Sequence, residues 1–100
     1  MMDRTTYQRL AFQTVHAVQE AVEAQQEAWD VELHGEILTL VREDGKQFVL
    51  NLHNVTQQLW YSSPLSGAWH FAWDGAFWKN TRGGRESLTE VLQRETGITL

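Results

Sequence analysis

The spacing of apolar residues changes from a helical period to a strand period at about residue 29 of this chain. No Gly or Pro interrupts residues 5–27, and Tyr7, Leu10 and Val18 recur at helical intervals. This pattern predicts an amphipathic helix of about five or six turns. After Trp29 apolar and polar residues alternate as far as residue 80, which predicts strands. Strands that follow one another without helices between them do not build a parallel sheet, whose strands are joined by crossovers.

Turn signals divide the alternating region into six strands. Asp44-Gly45 and Asp74-Gly75 are typical hairpin turns, because Gly tolerates positive φ. A second helix is predicted from Glu86 to about Thr96, ended by Gly97. The predicted strands cover residues 30–34, 37–41, 47–53, 58–62, 68–73 and 77–79.

The element order α–β₆–α predicts an α+β fold in which both helices pack on one face of an antiparallel sheet. The other face of the sheet is then left open to water. One hundred residues are enough for one such two-layer sandwich, so we expect a single domain over residues 1–100.

Composition excludes several functional classes. Eight Lys and Arg against thirteen Asp and Glu give a net charge of −5, which argues against nucleic acid as a partner. No apolar run approaches the ~20 residues that cross a bilayer, and the first residues resemble neither a signal peptide nor a transit peptide. We therefore expect a cytoplasmic protein without a membrane partner.

Catalytic and covalent chemistry have little support in the sequence. The chain contains no Cys, which removes thiolate metal sites and cysteine nucleophiles. Ser62, Ser63 and Ser66 lack a G-x-S-x-G frame, and Gly83-Gly84 is too short for a phosphate loop. These absences favour a protein that is not an enzyme.

A set of acids at the end of the first helix and on the first strand is a candidate metal edge. Carboxylates are hard ligands that suit iron as well as Ca²⁺, Mg²⁺ and Mn²⁺. The helical acids share i, i+3 and i+7 spacing, and the strand acids alternate onto one face. From spacing alone, a solvated helix face is the stronger interpretation. The five acids are Glu20, Glu23, Glu27, Asp30 and Glu32.

Strand parity predicts a second candidate site on the open sheet face. Leu50, Leu59, Phe71 and Trp73 fit the core, which directs their neighbours outward. An outward Trp among amide and imidazole groups is typical of a protein interface. A half-buried, inert Trp is the alternative, and stacking of single-stranded bases fits poorly with the negative charge. The predicted outward cluster is Asn51, His53, Gln58, Trp60 and His70.

One segment resembles a known family. Residues 51–67 read N-L-H-N-V-T-Q-Q-L-W-Y-S-S-P-L-S-G, which is similar to the frataxin pattern N-x-Q-x-P-x-x-Q-[IL]-W followed by a Ser/Pro/Gly loop. His70-Phe71, Trp73-Asp74-Gly75 and Trp78 resemble the family's aromatic–turn–Trp pattern, and E-S-L-T-E-V-L resembles its last helix. The chain departs from the pattern at His53, where Gln is frequent, and at Val55, where Pro is frequent.

The resemblance implies an accessory protein of iron–sulfur cluster assembly and iron homeostasis. It implies weak binding of ferrous or ferric iron through the five acids, without an organic cofactor. It also implies docking on a cysteine desulfurase and an iron–sulfur scaffold protein, with the face around Trp60 in contact. Gln19 and Ala24 stand where relatives often carry acids, which thins the iron-binding edge.

Two other functions remain open at this point. The first is a protein-interaction module without a metal role, and the second is an iron-storage or ferroxidase protein. The resemblance allows weak ferroxidase activity. We expect a monomer, with iron-dependent oligomers as the alternative.

Overall fold

The structure, a computed structural model, describes residues 2–100. A long first helix is followed by six strands and a short second helix, as the spacing of apolar residues predicts. The elements are α1 (Arg4–Gln25), β1 (Asp30–His34), β2 (Ile37–Val41), β3 (Gln47–His53), β4 (Gln58–Ser63), β5 (Gly67–Trp73), β6 (Trp78–Asn80) and α2 (Leu88–Thr96).

The first helix begins with a side-chain cap and ends earlier than the sequence predicts. Asp3 Oδ1 accepts the Thr6 N–H at 2.7 Å, which pairs one of the free donors of the first turn. At the other end Gln26 leaves the helical conformation, and Trp29 stacks on Phe48 with ring centroids 5.5 Å apart. Because the chain must turn to bring Trp29 onto the core, the helix stops at Gln25. The buried stripe of α1 comprises Tyr7, Ala11, Val15, Val18 and Val22.

The six strands form one antiparallel sheet in the order β1-β2-β3-β4-β5-β6. Each strand pairs with its neighbours in sequence, so every connection is a hairpin or a short loop. The central pairing of β3 with β4 sets Leu52 opposite Leu59 and Asn51 opposite Trp60. A slip of one residue would exchange the two faces of the strand, so this register decides which side chains reach the open face.

Both helices cover the same face of the sheet. On β2, β3 and β4 buried residues alternate with partly exposed ones, as expected for a sheet with one face open to water. The second helix starts at a capping box formed by Ser87 and Glu90 and ends at Gly97 with φ 76°. The strand residues buried beneath the helices are Leu38, Leu40, Phe48, Leu50, Leu52, Leu59, Tyr61, Phe71 and Trp78.

The tryptophans occupy different depths. Trp78 is buried, and its Nε1–H donates to Thr14 Oγ1 at 2.9 Å. Trp73, predicted to face the core, is only partly buried against it, and so is Trp69. A domain of this size has too little interior to bury several indoles completely.

Neither helix within residues 2–100 combines the length and the apolar character that crossing a membrane requires.

Candidate functional site

Three rings are stacked on the open face of the sheet. The Trp60 indole lies between two imidazoles, with ring centroids 3.7 Å from His53 and 4.0 Å from His70. The interplanar angles are 6° and 2°, so the three rings are almost parallel. We call His53, Trp60 and His70 the imidazole–indole stack. Their side chains are partly exposed, so the stack belongs to the surface of the protein.

Three adjacent strands position the stack. Trp60 on β4 pairs directly with His70 on β5, while His53 on β3 pairs with Gln58 and reaches Trp60 diagonally. Direct and diagonal cross-strand neighbours are close enough for aromatic contact. Ring stacking of this kind contributes about 0.5–1.5 kcal/mol per pair beyond burial. The sheet register therefore brings the three rings together.

Hydrogen bonds fix the rings further. The Trp60 Nε1–H donates to Gln58 Oε1 at 2.8 Å, and His53 Nδ1 is hydrogen-bonded to Thr56 Oγ1 at 2.7 Å. Asn51, directly opposite Trp60, donates through Nδ2 to the Leu52 carbonyl at 3.2 Å. All five residues of the predicted outward cluster thus lie on one continuous patch.

His70 has a cation beside it. Arg82 Nη2 lies 3.5 Å from His70 Nδ1. A guanidinium only donates hydrogen bonds, so this contact requires a neutral imidazole with Nδ1 as the acceptor. Burial, then the charge of Arg82, then His53 lower the pKa of His70. Each of these causes disfavours the protonated form of the imidazole.

Two further residues of this surface were not singled out from the sequence. Ile37 is 49% exposed and lies directly opposite Asn51, in the same row across the sheet as Trp60. Its parity on β2 is the signal that would have found it. Arg82 lies in an irregular loop, which strand parity does not cover. Its position beside His70 is set by the Thr81 N–H, which donates to the His70 carbonyl at 2.9 Å.

The predicted acidic edge is more dispersed than its spacing suggests. Glu20 and Glu23 are exposed on α1, whereas Glu27 lies in the turn after the helix has ended. The prediction that Glu27 shares their helix face is therefore wrong. Asp30 and Glu32 are exposed on β1, whose alternate residues Val31 and Leu33 pack on the core. Strand alternation directs these two acids to the open face, away from α1.

This dispersal limits what the acids can hold. Across residues 2–100, no group of three or more His, Asp or Glu side chains is arranged to bind a metal ion. A divalent ion of the iron type prefers about six oxygen ligands. An ion at one of these carboxylates would keep most of its water, which fits weak and exchangeable contact rather than a closed site.

Two helices on one face of an open six-stranded antiparallel sheet define a frataxin-like α+β sandwich, and in this chain the other face carries the imidazole–indole stack. The model of the Frataxin-like domain matches residues 1–100. The chain therefore belongs to the frataxin-like family.

Individual relatives agree with this assignment. The Iron-sulfur cluster assembly protein CyaY of Bordetella pertussis is 35% identical over 95 residues, which cover 84% of this chain and 86% of that protein. The frataxin of Psychromonas ingrahamii superimposes with a TM-score of 0.80 at 21% identity, over 99% of this chain and 96% of that one. A ferrous-complexed trimeric frataxin from Saccharomyces cerevisiae has a TM-score of 0.78 at 28% identity, over 87% and 81%.

Proposed function

We propose that this protein is an accessory factor of iron–sulfur cluster assembly that docks on a cysteine desulfurase–scaffold complex through the imidazole–indole stack. Family membership and the name of the Bordetella pertussis relative support the assembly role. The observation that carries the docking role is the position of Trp60, a large aromatic side chain held rigidly on an otherwise unpartnered sheet face.

A rigid aromatic group favours binding for a physical reason. Trp, Tyr and Arg dominate the residues whose truncation weakens protein complexes most. Trp60 is already ordered by two stacked rings and by its hydrogen bond to Gln58, so little conformational entropy is lost when a partner covers it. The neighbouring Ile37 adds exposed apolar surface. Trp60 and Ile37, with Asn51 between them in one row across the sheet, are thus the apolar members of a surface that is otherwise polar.

The docking role is tested by measuring binding to a purified bacterial desulfurase–scaffold complex. Trp60→Ala should weaken binding by about tenfold to a hundredfold, as expected for a central aromatic residue. Leu100→Ala is the control, because Leu100 is also apolar and exposed (42%) but lies beside Ala17 of α1, in the other layer. Equal affinities of Trp60→Ala and the unsubstituted protein would exclude this face as the docking surface.

Weak iron contact is the second part of the proposal. Glu20, Glu23, Glu27, Asp30 and Glu32 supply exposed carboxylates, and the yeast structure is described as complexed with ferrous iron. The iron here is cargo, held through one or two carboxylates at a time. Anaerobic titration with Fe²⁺, followed by amide NMR signals, should shift or broaden residues at these positions at micromolar to millimolar iron.

A protein-interaction module without a metal role is the competing function, and the dispersal of the acids favours it. The iron titration separates the two functions. Unchanged amide signals near the acids, together with intact desulfurase–scaffold binding, would leave only the interaction module.

A further inference from the structure

Charge is distributed unevenly over the sheet. The protein has a net charge of −5, yet none of its thirteen Asp and Glu residues lies within β3, β4, β5 or β6. The ionisable side chains of these strands that reach the open face are His53, His70 and Lys79. Arg82 joins them from the loop after β6 by its contact with His70. This half of the open face therefore carries basic side chains and no carboxylate from its own strands, although the protein as a whole is acidic.

The carboxylates around this region are directed elsewhere or already engaged. Asp30 and Glu32 lie at the far edge of the sheet, on β1, and Glu32 lies 3.5 Å from His34. Glu36, in the turn between β1 and β2, accepts both contacts from Asn54 Nδ2 at 3.0 and 2.9 Å. No described carboxylate makes a hydrogen bond or ion pair with His53, His70, Lys79 or Arg82.

Asp74 is the acid in the turn between β5 and β6. Its Oδ1 accepts the backbone N–H groups of Ala76 and Phe77 at 2.9 and 2.7 Å. Its Oδ1 is thus satisfied by its own turn. Lys79 lies near enough for its charge to help lower the pKa of Asp74, and its amine is 5.2 Å from the Phe77 ring. In residues 2–100 no carboxylate forms an ion pair with Lys79 or Arg82.

The stack presents an unusual surface to a partner. Both ring faces of Trp60 are covered by imidazoles, and its N–H is occupied by Gln58. A partner therefore meets ring edges and imidazole nitrogens rather than an open aromatic face. The edge of an aromatic ring carries partial positive charge. Such a surface favours acceptor groups, above all carboxylates.

We propose that the imidazole–indole stack, with Lys79 and Arg82, is a docking surface for an acidic protein segment whose binding is coupled to proton uptake by His53 and His70. The inference rests on the proposed docking role of this face and specifies the chemistry of the segment that occupies it. A protonated imidazole remains well placed against Trp60, because a cation over an indole face is attracted to it.

The coupling has a definite sign. A carboxylate beside an imidazole favours its charged form and raises its pKa, whereas Arg82 and burial lower the pKa of His70 in the free protein. Binding of an acidic segment thus draws protons onto the histidines. By linkage, the affinity must rise as the pH falls through the range in which histidine titrates. His34 lies on β1, at the opposite end of the row of residues that crosses the sheet through Trp60 and His70. Because it lies 3.5 Å from Glu32, it is not part of the proposed docking surface.

The test uses a hexa-aspartate peptide, which stays ionised above pH 5, and the full-length protein followed by amide and indole NMR signals. Signals of Trp60, His53, His70 and Arg82 should shift on titration, and the apparent Kd should fall about tenfold from pH 8 to pH 6. His53→Gln and His70→Gln should each reduce that pH dependence. His16→Gln is the matched control, because His16 is exposed on α1, in the other layer.

Three results would overturn the inference: peptide shifts confined to other surfaces, a Kd independent of pH, or an unchanged pH dependence in both histidine variants. The proposed function is judged separately, by binding of the desulfurase–scaffold complex to Trp60→Ala at one pH. If that binding depends on Trp60 while the peptide result is negative, the docking face stands and its acidic, proton-coupled partner does not.

Discussion

The imidazole of His53 lies flat against the indole of Trp60, with ring centroids 3.7 Å apart and planes inclined by 6°. The two residues belong to neighbouring strands and are diagonal in the register. His53 is also where this chain departs from the frataxin pattern, in which Gln is frequent. This residue places an imidazole ring on the surface that we propose for docking.

The alternation of faces along β4 gives a first prediction. Leu59→Ala should lower the free energy of unfolding by about 3 kcal/mol, because Leu59 is fully buried and its truncation leaves a cavity. Gln58→Ala, at the preceding position, should cost about 1 kcal/mol or less, since it loses one partly exposed hydrogen bond to Trp60. Urea unfolding measures both. Similar costs for the two variants would contradict the assigned faces.

The buried hydroxyl of Tyr61 gives a second prediction. It donates to Glu95 Oε1 at 2.8 Å and joins β4 to α2. Tyr61→Phe should destabilise the protein by about 1–2 kcal/mol, because a partly buried carboxylate loses its donor while the ring is kept. Thermal unfolding should show a fall in Tm of several degrees, about 4–8 °C per kcal/mol for a domain of this size. An unchanged Tm would mean that water replaces the hydroxyl without cost.

Acid stability gives a third prediction. Hydrogen bonds from Arg42, then from the Lys46 N–H, lower the pKa of Asp44 to about 2, and backbone N–H groups lower the pKa of Asp3 and Asp74. A folded-state pKa below the unfolded value means that the stabilisation is complete above about pH 4. It is lost as the pH falls towards 2.

Asp44→Asn checks this prediction. The variant should be less stable than the unsubstituted protein at pH 6 and should lose less stability between pH 4 and pH 2. Glu43→Gln is the matched control, since Glu43 is the exposed acid next to it. Parallel Tm–pH curves for the protein and Asp44→Asn would contradict the assignment of Asp44.

Repulsion between acids on α1 gives a fourth prediction. Glu20 and Glu23 are exposed at i, i+3 spacing, where like charges destabilise a helix slightly. Glu20→Gln with Glu23→Gln should raise Tm by about 1–2 °C and weaken the Fe²⁺-dependent NMR changes. A lower Tm would show that these acids have structural partners, and undiminished NMR changes would place the iron elsewhere.

Much of the fold follows from the sequence because local rules and the tertiary structure agree. The switch of period at Trp29, the turn at Asp44-Gly45 and the alternation from Phe48 to Leu52 all appear in the structure as predicted. Trp60 and His70 could be predicted to lie together for two reasons. Side chains alternate between the two faces of each strand, and in a meander strands that are consecutive in sequence pair with each other. The predicted frataxin resemblance and α+β sandwich are confirmed.

What the sequence could not predict depends on distances and on irregular chain. The alternation of side chains along β3 and β4 predicts that His53 and Trp60 share a face of the sheet. Whether their rings touch depends on the strand register and the sheet twist, which the sequence pattern does not give. The end of α1 was predicted too late, because the stacking of Trp29 on Phe48 is a tertiary contact that overrides helix propensity. The position of Arg82 could not be predicted, because side chains in an irregular loop follow no regular alternation of faces.

The most direct test of the central claim is the rate of iron–sulfur cluster assembly by a desulfurase–scaffold pair, with and without this protein. The account predicts that the protein changes the rate and that Trp60→Ala removes most of the change, while Leu100→Ala, in the other layer, keeps it. A rate that the protein leaves unaltered, or one that Trp60→Ala alters as much as the unsubstituted protein does, would contradict the account.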